Sequence, residues 1–131
     1  KEGIDKSNND PYLIAVTLLT SMDSKTLKGI GITSSINDQI LSLAKSANQA
    51  NLDGIVCSAK DISNIKNILP KKFLYVTPGI RLSDNSNDDQ KRITTPSEAI
   101  KMGSNIIVIG RSITEAKFPE KILNQIIDEI T

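Results

Sequence analysis

The sequence predicts an α/β chain built on a parallel sheet, and two observations carry that prediction. Four short apolar runs rich in β-branched residues recur: Leu13 to Leu18, Gly54 to Cys57, Phe73 to Val76 and Ile106 to Ile109. Each is nearly continuous rather than alternating in hydropathy, as expected of strands covered on both faces. Helical patterns separate or follow them, and a run of βα units with helical crossovers implies a parallel sheet.

The helices follow from spacing and from start and stop signals. Ile36, Ile40, Leu43, Ala44 and Ala47 share one face of a helix, as do Ile122, Leu123, Ile126, Ile127 and Ile130 behind Pro119-Glu120. Thr95-Pro96-Ser97-Glu98 combines a capping hydroxyl, a proline at the first helical position and an acid three residues after the cap. Gly103 stops that helix directly before the last apolar run. Ser58-Ala59-Lys60-Asp61 is a weaker capping signal, and a shorter helix is expected over residues 63–69. Four βα units suit either a small open sheet or half of an eightfold (β/α)₈ barrel, because a complete barrel needs roughly 250 residues and the chain has 131.

Composition narrows the function. Hydrophobic residues make up 38% and charged residues 24%, the balance of a globular chain rather than a disordered one. Sixteen basic against fifteen acidic residues leave a net charge of +1, and aromatics reach only 3%. Nothing there draws the chain to nucleic acid or to an anionic membrane, so any anion site is local. No apolar run approaches the roughly 18 residues of a membrane span. The only cysteine, Cys57, rules out an internal disulfide framework and suits a cytoplasmic location. The absence of histidine removes imidazole bases and His-containing zinc sites from this chain. Lys1 to Asp5 lack a signal-peptide core, and Ser7-Asn8-Asn9-Asp10 reads as a loop from the middle of a protein.

The most informative stretch is Ile106 to Thr114. An apolar strand ends at Gly110, then Arg111, Ser112 and Thr114 lead into a short helical segment. Glycine lets a ligand approach the backbone, N–H groups at a helix start favour phosphate, and arginine adds charge-assisted bonds. The same pattern also suits a strand terminator followed by a solvated arginine. Upstream, Thr77-Pro78-Gly79-Ile80-Arg81 opens a polar run to Arg92 in which Leu82 is the lone apolar residue. Such a loop is a surface excursion or a cover over a site. Arg81 and Gln90 bracket it, and both can reach a phosphate. Asp88-Asp89 lack the glycine and terminal glutamate of a calcium loop, so no metal is expected there.

Six segments in order now carry a resemblance: Ala15 to Met22, Asp53 to Ala59, Thr77 to Arg81, Asp89 to Arg92, Thr95-Pro96 and Val108 to Arg111. Together they resemble the second half of bacterial-type orotidine 5′-phosphate decarboxylases, from the fifth strand to the C-terminus. The resemblance implies a (β/α)₈ TIM barrel of which residues 1–131 supply the last four βα units, strands five to eight, with the N-terminal half absent. It implies a cytoplasmic homodimer that removes CO₂ from orotidine 5′-monophosphate to give UMP without metal or organic cofactor. It also implies site roles. Thr20 would hydrogen-bond the pyrimidine edge, Gln90 and Arg111 would hold the 5′-phosphate, Gly110 would add a backbone contact, and Arg81 would bind nearby. Read locally, Thr20 also suits a hydroxyl capping the short segment from Met22 to Gly29.

One departure limits this piece. The family's proton-donating lysine lies in an Asp-x-Lys-x-x-Asp segment after the third strand, and no such segment occurs here. Lys60 lies near a strand end but reads as an ordinary surface lysine. No catalytic residue is therefore expected in this chain, which alone should be inactive. Other readings are a non-catalytic half-barrel that binds nucleotide phosphates, a half that only pairs with a separate N-terminal chain, and another sugar-phosphate decarboxylase of the same suprafamily.

Overall fold

Four parallel strands, ordered as they occur in the chain, set the frame of the computed structural model, which describes residues 11–19, 21–82 and 94–131. In sequence the elements are β1 (Ile14–Val16), α1 (Ser24–Gly29), α2 (Ile36–Gln49), β2 (Gly54–Val56), α3 (Ala59–Ile65), β3 (Leu74–Thr77), α4 (Pro96–Met102), β4 (Ile106–Ile107), α5 (Arg111–Thr114) and α6 (Pro119–Ile130). The expected α/β succession is therefore present, and its four βα units make half of a (β/α)₈ barrel.

Three of the strands are shorter than the apolar runs that predicted them, because a ladder needs a partner at every step, while β3 keeps four residues and is shifted by one. Beyond their ends single bonds persist: Thr17 N–H donates to the Val56 carbonyl (3.3 Å), Cys57 N–H to Val76 (3.1 Å) and Val108 N–H to Thr77 (2.8 Å). Two side chains stand in for missing strand partners. The Asp53 carboxylate accepts from Leu13 N–H (2.8 Å), and the Asn105 side-chain oxygen accepts from Tyr75 N–H (2.9 Å).

Register places Val16, Val56, Val76 and Ile106 in one row across the sheet. Alternation then puts Ala15, Ile55 and Tyr75 on the opposite face. That second face is the core. Ile55, Cys57, Phe73 and Tyr75 pack with Ala44 and Ala47 of α2 and with Ile62 and Ile65 of α3. Phe73 and Tyr75 meet edge to face, with ring centroids 6.0 Å apart. A smaller cluster joins Ala59, Ile80 and Ala99, with Met102, Ile107 and Ile109 against it. On the first face Val16, Ile106 and Val108 are exposed.

Caps explain where the helices start. Asp23 accepts from Thr26 N–H (2.7 Å) ahead of α1, and Ser35 from Asp38 N–H (3.1 Å) ahead of α2. Thr95 and Glu98 form the expected reciprocal box, and Gly103 ends α4 in the left-handed conformation (φ 111°). The helix expected over residues 63–69 begins earlier, at Ala59. The Asp61 carboxylate takes the Ser58 N–H (3.1 Å) and fixes the start there, while residues 66–69 tighten into turns before Pro70.

Gly54 shows how closely two strands meet. A Cβ on it would collide with the Leu74 carbonyl oxygen and lie 2.7 Å from the Leu74 Cβ. Only a residue without a side chain fits that crossing.

Candidate functional site

The C-terminal ends of β3 and β4 bring two of the expected elements side by side. β3 and β4 are paired neighbours, with Val76 opposite Ile106 and Thr77 opposite Ile107. Past β3, Gly79 turns the chain through the left-handed region (φ 77°), a conformation that favours glycine. Ile80 then plugs the smaller core cluster and bridges in parallel to Thr94, while Arg81 N–H donates to the Thr94 carbonyl (3.2 Å). The two feet of the polar loop are thus tied together, and the exposed Arg81 side chain leaves from that knot.

Past β4, Gly110 opens the single turn of α5. Its carbonyl accepts from Ile113 N–H (2.8 Å) and Thr114 N–H (3.1 Å). A Cβ on Gly110 would meet nothing within 4 Å, so the backbone there is open to a visitor. Arg111 is exposed beside it. A cationic fork next to bare backbone at a strand end can receive a phosphate. The structure therefore places Arg81, Gly110 and Arg111 at the ends of adjacent strands. Thr20 and Gln90 lie outside the described residues. The capping role considered for Thr20 belongs to Asp23, which fills the N-cap of α1.

The end of β2 has a different character. Cys57 faces the helices, and burial pushes its thiol from the ordinary 9.0 up to about 12, with the Asp61 carboxylate adding to the rise. Burial likewise raises Asp61, against the lowering bond from Ser58 N–H. A thiol held protonated in a core is not a nucleophile. Native protein at pH 8 should resist iodoacetamide at Cys57 and label rapidly once denaturant is added, read by mass spectrometry. The sign for stability follows. The unfolded chain gives up this proton near 9 while the folded one keeps it, so this group lowers stability as pH climbs from about 9 to 12.

Lys60 is exposed in the first turn of α3. Among the described residues no cluster of acidic or cysteine side chains has the makings of a metal site, and no helix is long and apolar enough to cross a membrane. The sequence assigned no role to two small hydroxyls, Thr77, which opens the segment running to Arg81, and Ser104. Both are buried at the seam between β3 and β4, and their oxygens lie 2.8 Å apart. They are 27 residues apart in sequence and carry no local signal.

Comparison with known proteins shows the family. The model of the Orotidine 5'-phosphate decarboxylase / HUMPS family matches residues 1–126. An orotidine 5'-phosphate decarboxylase from Pseudoalteromonas atlantica is 50% identical over 127 residues, covering 96% of this chain and 55% of that protein. One from Buchnera aphidicola is 48% identical, covering 99% and 55%. The crystal structure of the Lactobacillus acidophilus enzyme superposes with a TM-score of 0.78 at 36% identity, over 92% of this chain and 50% of that one. The chain thus spans about half the length of the curated relatives it matches. By sequence along nearly its whole length and by fold, it belongs to the orotidine 5'-phosphate decarboxylase / HUMPS family.

Proposed function

We propose that residues 1–131 are the C-terminal half of a single barrel domain that decarboxylates orotidine 5′-monophosphate to UMP in de novo pyrimidine biosynthesis. The observation that carries this reading is the pairing of β3 with β4, which brings Arg81 and the Gly110-Arg111 turn past the ends of neighbouring strands. In this reading Arg111 and Gln90 grip the 5′-phosphate, Gly110 offers backbone, Arg81 adds charge and Thr20 bonds the pyrimidine edge. The lysine that protonates C6 as CO₂ leaves belongs to the other half of the barrel, as the family resemblance implies. What this half contributes is remote binding energy. A phosphate held far from the scissile bond drives closure and orients the base over the charged site, which raises rate as well as affinity. The complete protein acts as a cytoplasmic homodimer without metal or organic cofactor.

The test is a complete enzyme carrying this half, assayed for CO₂ release from orotidine 5′-monophosphate and from a keto-gulonate phosphate. Turnover of the nucleotide alone is expected. Turnover of the sugar phosphate instead would move the chain to another branch of the family. Tight UMP binding with no turnover of either substrate would leave a binding module.

A further inference from the structure

The shortest strand leads into the arginine that the proposed function sets on the phosphate. β4 has two ladder residues, yet Gly110-Arg111 hangs from it. A strand so short sets its own register weakly. A slip of one residue would carry Arg111 about 3.3 Å along the sheet, further than a hydrogen bond to a fixed phosphate tolerates. A side-chain bond across the two strands would add to what so short a ladder supplies.

We propose that the buried hydroxyl pair Thr77–Ser104 is a positioning device that pins β4 against β3 and so fixes where the Gly110-Arg111 turn stands relative to Arg81. This rests on the phosphate-binding reading above. Three observations support it. First, Thr77 is fully buried and Ser104 is 6% exposed; with Thr94 they are the buried polar side chains among the described residues. Second, Ser104 Oγ reaches Thr77 Oγ1 (2.8 Å), the Ile106 carbonyl (3.1 Å) and, more weakly, the Tyr75 carbonyl (3.4 Å). Two hydroxyls carry two protons, so Thr77 can donate to Ser104 while Ser104 donates to the Ile106 carbonyl of its own segment; the bond between the two hydroxyls exists only in this register. Third, the backbone repeats the lock on both sides. Asn105 N–H donates to the Tyr75 carbonyl (3.0 Å), and Val108 N–H to the Thr77 carbonyl (2.8 Å).

A slipped strand would leave the buried Thr77 hydroxyl without Ser104, while Ser104 would keep only the Ile106 carbonyl of its own segment, a loss that the present register avoids. Thr77 lies four residues before Arg81 and Ser104 seven before Arg111. Neither touches the expected ligand, so both act through the loops they hold.

The experiment compares Thr77→Val, Ser104→Ala, the double variant and Thr77→Ser in a complete enzyme containing this half. It measures kcat and KM for the nucleotide and for phosphate-free orotidine, with Tm alongside. Each single loss should raise the nucleotide KM about tenfold, the scale of one buried hydrogen bond. kcat/KM on the nucleoside should stay within about twofold. The double variant should be no worse than the worse single one, because one bond is lost either way. Thr77→Ser should restore the nucleotide KM. Equal losses on both substrates, or a fall in Tm with unchanged kinetics, would show a merely structural pair and overturn the proposal. Ser104→Ala removes a single oxygen and carries the test alone if Thr77→Val does not fold. Arg111→Ala runs in parallel. If it too fails to separate the two substrates, the phosphate reading falls; if it separates them and the hydroxyl variants do not, only the pin falls.

Discussion

Replacing Arg111 with alanine in a complete enzyme is expected to lower kcat/KM on orotidine 5′-monophosphate by roughly two to four orders of magnitude. The estimate takes two charge-assisted hydrogen bonds from guanidinium to phosphate, each contributing roughly 1.5–3 kcal/mol. On phosphate-free orotidine the same substitution should change kcat/KM by no more than about twofold, since the lost group faces nothing there. Arg111→Lys should recover part of the loss, because an ammonium supplies the charge but not the planar fork. Steady-state kinetics on both substrates decide the matter, and equal losses on the two would remove Arg111 from the phosphate site.

The second large effect concerns stability. Gly54→Ala should destabilise the protein by about 3 kcal/mol or more, because the new methyl group meets the backbone of Leu74 rather than a side chain that can turn away. The two strands must separate to admit it, and they carry Ile55 and Tyr75 of the main core. Gly29→Ala is the control. It lies at the end of α1 with nothing within 4 Å of its Cβ position, and should be neutral within about 0.5 kcal/mol. Denaturant unfolding of the two variants beside the parent makes the comparison, and similar midpoints for both would refute the close-approach argument.

Much of the fold was legible because its signals are local. The Thr95-Pro96-Glu98 box and the Gly103 stop each sit within a few residues, and both take their expected roles. Order in the sheet followed from helical crossovers, since consecutive parallel strands tend to be neighbours. What the sequence misjudged depended on partners. β4 shrank from the four residues of its apolar run to two because Val108 keeps only a single bond to Thr77. α3 starts at Ala59 because the Asp61 carboxylate captures the Ser58 N–H, a signal present in the sequence but given too little weight.

The site divides in the same way. Gly110-Arg111 and Arg81 announced themselves as glycine and arginine after apolar strands, and they stand at adjacent strand ends. The pairing of Thr77 with Ser104 was invisible, because a small hydroxyl acquires meaning only from what lies across the sheet.

The burial of Tyr75 has one more consequence. The chain has no tryptophan and two tyrosines. Tyr12 is 71% exposed, whereas Tyr75 is buried against Phe73 and Cys57, its hydroxyl without a hydrogen-bond partner among the described residues. Ultraviolet emission from this half therefore has one source bathed in water and one sealed behind the sheet. A change in the sealed source reports the opening of the helix-facing core. A ligand arriving at the strand ends leaves it dark to the event, so one cuvette can tell unfolding from binding.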